Sequence, residues 1–174
     1  PTLKRYYSRR LARAMSNTSI VTTADALSAA LNALSPATFS LYSDDATLVA
    51  IAKQSSAGHC HSASPHPLGI ELPATDLAVV DADIALPAEE LTELLARLRD
   101  LLARQVLVIA PTQAQTTFNH AGLIGLGFQR WTSPGAEQPE RRWYRFDIRD
   151  YKSTPDWLNA RHWANPELWD KYRW

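Results

Sequence analysis

The amino-acid sequence predicts an α/β domain: a mostly parallel sheet flanked by helices and closed by a C-terminal antiparallel hairpin. Three observations carry this. Leu77–Asp81 and Val106–Ala110 are short, nearly all-apolar runs, as expected of strands buried on both faces. A leucine-striped helical segment joins them, which is the pattern of a right-handed parallel crossover. Finally, Phe128–Thr132 and Arg142–Arg149 read as two strands joined by a loop containing Pro and Gly, the signature of a hairpin.

The remaining elements follow in chain order. Residues 1–18 form an arm in which Lys4, Arg5, Arg9, Arg10 and Arg13 precede any acidic residue. Leu3, Tyr7, Leu11 and Ala14 or Met15 fall at helical spacing, so the arm reads as a basic amphipathic helix packed on the body. Contact with a membrane surface or nucleic acid, a cleaved transit peptide, and a true start at Met15 are the alternatives. Ala24–Leu34 is a helix with Leu27, Ala30, Leu31 and Leu34 on one stripe. Thr22 or Thr23 caps it, and Ser35-Pro36 ends it. Phe39–Ser43 is a strand, followed by Asp44 and Asp45 as turn and cap.

Ala46–Ala57 is a helix stopped at Gly58. His59–Ser64 is a second strand, and the proline-containing stretch 65–76 is a surface loop. In the crossover, Pro87 takes the first helical position, with Glu89 and Glu90 in the first turn. Leu91, Leu94, Leu95, Leu98, Leu101 and Leu102 make the inward stripe. Arg97, Arg99 and Arg104 load the far end with positive charge. Pro111 stops the next strand. Thr117–Leu126 is a helix with Phe118, Ala121 and Leu123 or Ile124 inward, stopped at Gly127. In the last strand Tyr144, Phe146 and Ile148 face the core, and Trp143, Arg145, Asp147 and Arg149 face away.

The domain so defined covers residues 19–150, and 151–174 is a separate tail. Trp157, Trp163, Trp169 and Trp174 lie in that tail, four of the chain's six tryptophans. Thr154-Pro155-Asp156 and Asn165-Pro166-Glu167 each match a cap, a proline and an acid, predicting two short helices.

Composition narrows the function classes. The 174 residues suit one domain, and a 45% hydrophobic content is globular. No apolar stretch approaches the roughly 20 residues needed to span a bilayer, and no apolar signal segment is read at the start. Cys60 is the single cysteine, so no intrachain disulfide forms, and a reducing, cytoplasmic setting is expected. Eighteen basic and eighteen acidic residues cancel, which disfavours nucleic acid as the main partner.

The block from Asp76 to Arg149 resembles the C-terminal half of a class I S-adenosylmethionine-dependent methyltransferase, a Rossmann-like fold. The residues carrying the likeness are Leu77–Asp81, Leu91–Leu102, Val106–Pro111, the phrase Leu126-Gly-Phe-Gln-Arg130, and the terminal hairpin. It covers roughly residues 37–150. It implies the strand order 2-1-4-5-7-6 in that family's labels, with the seventh antiparallel. The sheet is trimmed at one edge, because residues 64–76 are too few for a further helix and strand. The ending Trp163–Trp169 with Lys171–Trp174 resembles the tail of a small bacterial family of unknown function.

The departures from the methyltransferase pattern bear on activity. That family seats its cofactor on a glycine-rich turn after the first strand, where the backbone must approach the ligand closely. Here the turn is Ser43-Asp44-Asp45-Ala46-Thr47, with no glycine. The acidic residue that the family places at the end of its second strand has no counterpart in His59–Ser64. The expectation is therefore a methyltransferase-like domain with no functional cofactor site, acting by binding a protein partner or by self-association. The alternative is a divergent S-adenosylmethionine-dependent enzyme. No Ser/His/Asp triad, P-loop, paired-cysteine site or metalloprotease helix is present, and no catalytic residue is assigned.

Asp44, Asp45, Asp81 and Asp83 lie at the C-terminal ends of neighbouring strands, the edge where open α/β sheets bind ligands. They are the candidate cofactor residues of the enzyme reading. Otherwise they are a helix cap, a strand end and a solvent-facing acid, or together they attract a cation. Trp157, Trp163, Trp169 and Trp174 are the candidate partner contacts, or they cover the sheet edge from within the chain. His59, Cys60, His61 and His66 read as structural or exposed rather than as a metal site, because strand alternation puts Cys60 opposite the two histidines beside it.

Overall fold

The computed structural model describes residues 20–55, 59–62, 72–113 and 117–151. The N-terminal arm, residues 65–71 of the proline-containing stretch, Gly58, His66 and the tryptophan tail lie outside the described residues, and Thr75 and Asp76, expected in that loop, instead open a strand. In chain order the elements are α1 (Thr23–Leu34), β1 (Thr38–Tyr42), α2 (Ala46–Gln54), β2 (His59–Ser62), β3 (Thr75–Asp81), α3 (Ala88–Arg97), a π turn (Leu98–Leu102), β4 (Ala103–Ile109), α4 (His120–Gly125), β5 (Gln129–Trp131), β6 (Trp143–Asp147) and α5 (Ile148–Tyr151).

The strands form one mixed six-stranded sheet in the order β2-β1-β3-β4-β6-β5. The first four are parallel, and β6 runs antiparallel to both β4 and β5. Each half of the sheet's apolar surface is sealed by its own helices. On one face Ala78, Val80, Val106, Val108 and Phe146 meet Leu91, Leu94, Leu95 and Leu98, together with Phe118 and Leu123. On the other, Phe39, Leu41, Leu77, Val79, Leu107 and Ile109 meet Ala26, Leu27, Leu31 and Leu48. Alternate residues of β3 and β4 therefore serve two cores, which is why these strands read as unbroken apolar runs.

Local chemistry sets the helix ends. The Thr22 hydroxyl accepts from Asp25 N at 3.1 Å and starts α1, and Ser35 closes it in the left-handed region at φ 42°. The Asp45 carboxylate accepts from Thr47 N at 2.7 Å and starts α2. That helix ends at Gln54, capped by Ser55 in extended backbone, and so stops short of the expected Gly58. The Asn119 side chain accepts from Gly122 N at 3.0 Å, so α4 begins at His120 and leaves Thr117 and Phe118 in the preceding turn. A Cβ on Gly122 would lie 2.0 Å from Thr117 O, so only glycine fits this turn. At the far end Gly127 N bonds Ile124 O at 2.9 Å and Phe128 N bonds Leu123 O at 3.0 Å. With Gly127 at φ +88°, this is a Schellman closure.

Several expected faces differ, and Ala121, assigned inward, is exposed in α4. Leu101, assigned inward by the leucine stripe, is 78% exposed. The π turn widens the helix after Leu98, with Ala103 N bonding back to Leu98 O, and this rotates later residues off the stripe. Trp143, assigned to the outer face of the hairpin, is 2% exposed. It packs near Trp131 with ring centroids 6.4 Å apart, in the same core as α1 and α2. The outer face of β6 is thus a second core face, and the charged residues that follow pair laterally. Asp147 is buried and accepts from Gln105 Nε2 at 2.9 Å and from Arg145.

Candidate functional site

The parallel strands β1, β3 and β4 end at one edge, where antiparallel β6 begins. Their connections leave a cleft of about 990 Å³ there. Its walls are the start of α1, the β1–α2 turn, the ends of β3 and β4, residues 118–121, and Glu140–Arg142 with Tyr144. All four aspartates singled out by the sequence line it.

Each of these aspartates is already engaged by the protein. Asp81, 3% exposed at the end of β3, accepts from the Ser43 hydroxyl at 3.0 Å and from Asp83 N at 3.1 Å. Arg141 Nη2 approaches the same carboxylate at 2.7 Å and reaches Asp83 Oδ2 at 3.0 Å. Arg141 Nε also donates to Ala110 O at 2.9 Å, so one guanidinium ties the ends of β3 and β4 to the entry of β6. Asp83 further accepts from Thr112 N at 3.1 Å and from the Thr112 hydroxyl, instead of standing free in solvent. Asp44 reaches across the sheet edge to accept from Ala85 N at 2.8 Å. Asp45 caps α2, and its own N–H donates to the Ser43 hydroxyl at 3.1 Å.

Ser43 and Asp44 therefore latch the β1–α2 turn to the β3–α3 turn. These two turns flank the point where the strand order reverses, the usual crevice for ligands in open α/β sheets. Ser35 is the only non-glycine with positive φ among the described residues, so the β1–α2 turn follows backbone angles open to any L-residue.

The opposite wall holds a pair that sequence reading missed. His120 opens α4 and is exposed, and its Nδ1 lies 2.9 Å from the hydroxyl of Tyr144, which is 1% exposed. Arg141 was missed as well. Both contacts join residues far apart in the chain, so no local spacing announces them; the only sequence signal is the polar residues flanking β6.

The loop from β5 to β6 is strapped to the start of α1. Val21 N bonds Gln138 O at 2.9 Å and Glu140 N bonds Val21 O at 2.8 Å. This holds Glu140, Arg141 and Arg142 at the cleft.

Among the described residues, no group of three or more His, Cys, Asp or Glu side chains could hold a metal ion. His59, Cys60 and His61 sit on β2, where only the backbone is described. No helix among the described residues is long and apolar enough to cross a membrane.

Fold and cleft together define an α/β domain with a mixed sheet and a polar-rimmed cleft at the strand ends. The chain belongs to a family of unknown function, DUF6231, whose model matches residues 21–174, tail included. No curated protein matches the chain.

Proposed function

We propose that this is a methyltransferase-like domain that has exchanged its cofactor seat for a structural latch and acts by binding a protein partner. Support for the likeness comes from the strand order, which coincides with 2-1-4-5-7-6 in methyltransferase labels, and from the antiparallel β6. Support for the lost seat is one observation: the Ser43 hydroxyl bonds Asp81 and the Asp44 carboxylate bonds Ala85 N, both across the crevice. A nucleoside cofactor needs a bare, closely approaching backbone at this turn. Here the Ser43 and Asp44 side chains bridge that approach, and the cleft carboxylates hold protein N–H and O–H groups. These contacts support a turn that does not seat S-adenosylmethionine.

Thermal denaturation with and without millimolar S-adenosylmethionine tests the reading. No shift is expected, whereas a ligand at a hundred times its Kd adds about 2.7 kcal/mol of stability. A clear stabilisation overturns it. The partner surface is assigned to the cleft and to Trp157, Trp163, Trp169 and Trp174 of the tail, and Trp169→Ala with Trp174→Ala should lower association while the domain stays folded. Unchanged association removes the tail from the reading.

A second reading rests on the cleft itself, whose floor includes Asp81. In a divergent methyltransferase, Asp44 or Asp45 and Asp81 would line the pocket and Asp83 would orient a substrate. Stabilisation by the cofactor or its demethylated product would select this reading.

A further inference from the structure

The His120–Tyr144 wall has a chemical polarity that follows from its hydrogen bond. The Tyr144 hydroxyl is buried, and His120 Nδ1 is its hydrogen-bond partner. Most buried hydroxyls give their proton to an acceptor. In neutral imidazole only an unprotonated ring nitrogen can accept. With Nδ1 taking the Tyr144 proton, the ring proton resides on Nε2. Nε2 has no partner among the described residues, and His120 is exposed and lines the cleft. With Tyr144 as the donor, His120 presents an N–H on the wall opposite the latch.

The surrounding charge selects the acceptor. Among the described residues, Asp44, Asp45, Asp81, Asp83 and Glu140 share the cleft with two guanidinium groups, and Arg141 is spent on Asp81 and Asp83. An anion entering would meet an excess of negative charge. A neutral oxygen acceptor meets no such cost, and Pro111 and Ala121 leave apolar surface accessible in the same cleft. We propose that His120 Nε2–H donates to a neutral amide carbonyl, the acceptor offered by a docked peptide segment, with Tyr144 as its positioning residue. The proposal rests on the partner-binding reading and names the chemistry of that contact.

Long-range proton–nitrogen NMR on the full chain labelled with ¹⁵N-histidine tests it. In its neutral state the His120 ring is expected in the Nε2–H form. N-acetylphenylalaninamide is the neutral probe and benzoate the anionic one. The amide should shift the His120 Nε2 resonance saturably, and benzoate should not. Tyr144→Phe keeps the buried ring and removes only the hydroxyl. It should abolish the tautomer preference and weaken amide binding about fivefold to tenfold, as expected for one lost hydrogen-bond constraint.

A proton found on Nδ1 overturns the proposal, as does an unmoved His120 resonance with saturating amide. Equal or stronger response to benzoate overturns the neutral-carbonyl assignment. Stabilisation by S-adenosylmethionine with a silent amide probe would instead sink the partner-binding reading itself, so the two failures are distinguishable.

Discussion

Arg141 and Asp81, 60 residues apart in the chain, meet at 2.7 Å as a nearly buried ion pair, with side chains 13% and 5% exposed. The pair locks the entrance of β6 to the end of β3 and so shapes the cleft floor. Replacing one partner leaves the other charge desolvated and uncompensated. Arg141→Met should therefore cost about 3–5 kcal/mol. The double variant Arg141→Met with Asp81→Asn should cost distinctly less than the sum of the singles. Urea unfolding of the full cycle measures the coupling, and additive losses would show that the pair is not energetically joined.

Gly122 carries a steric demand. An added Cβ would meet Thr117 O at 2.0 Å, against backbone that cannot swing aside as a side chain could. Gly122→Ala should lose at least about 1–3 kcal/mol, in the range of overpacking. Gly127→Ala should lose about 1 kcal/mol, because its φ of +88° penalises any L-residue. Thermal unfolding of the two variants should rank them in that order.

Asp44 and Asp45 are neighbours with different tasks. Asp45→Ala removes the cap of α2 and should cost about 1 kcal/mol, a typical N-cap loss. Asp44→Ala removes the bond to Ala85 N and frees the two turns from one another. Amide hydrogen exchange should then rise at Ala85 in the second variant and at Thr47 in the first. Exchange that rises at neither position would contradict the latch.

Tyr42 supplies a pH dependence. Burial pushes its hydroxyl up from 10.0, outweighing the lowering by Ser40 and Arg97. The folded state thus favours the neutral phenol more than the unfolded state does. Its contribution is full below the unfolded value and is lost as pH rises from about 10 through the folded value. Ser40 lies near its hydroxyl, but no hydrogen bond of good geometry is made to it among the described residues. Tyr42→Phe should therefore leave stability at neutral pH unchanged or slightly raised, and should flatten the alkaline decline. Urea midpoints from about pH 9 to pH 12 would show it. A loss at neutral pH would mean the hydroxyl is satisfied.

The parts of the fold legible in the sequence are those set by neighbours in the chain. Leu77–Asp81 and Val106–Ala110 announce strands because both their faces are buried, and Thr22 and Asp45 announce caps because capping acts within three residues. The four cleft aspartates were legible because strand ends can be counted. What bonds them was not: Ser43 to Asp81, Asp44 to Ala85 and Arg141 to Asp81 form only after the sheet assembles. The π turn at Leu98–Leu102 was hidden because a leucine stripe looks the same whether or not the helix widens. Trp143 was misplaced because alternation assumes one wet face, whereas β6 is covered on both.

Whether the β1–α2 turn can hold a nucleoside cofactor decides between a binding domain and an enzyme. Equilibrium binding of radiolabelled S-adenosylmethionine to the full chain measures this directly. The latch of Ser43 and Asp44 predicts no saturable binding up to millimolar concentration. Stoichiometric, saturable binding that Asp81→Asn abolishes would contradict it.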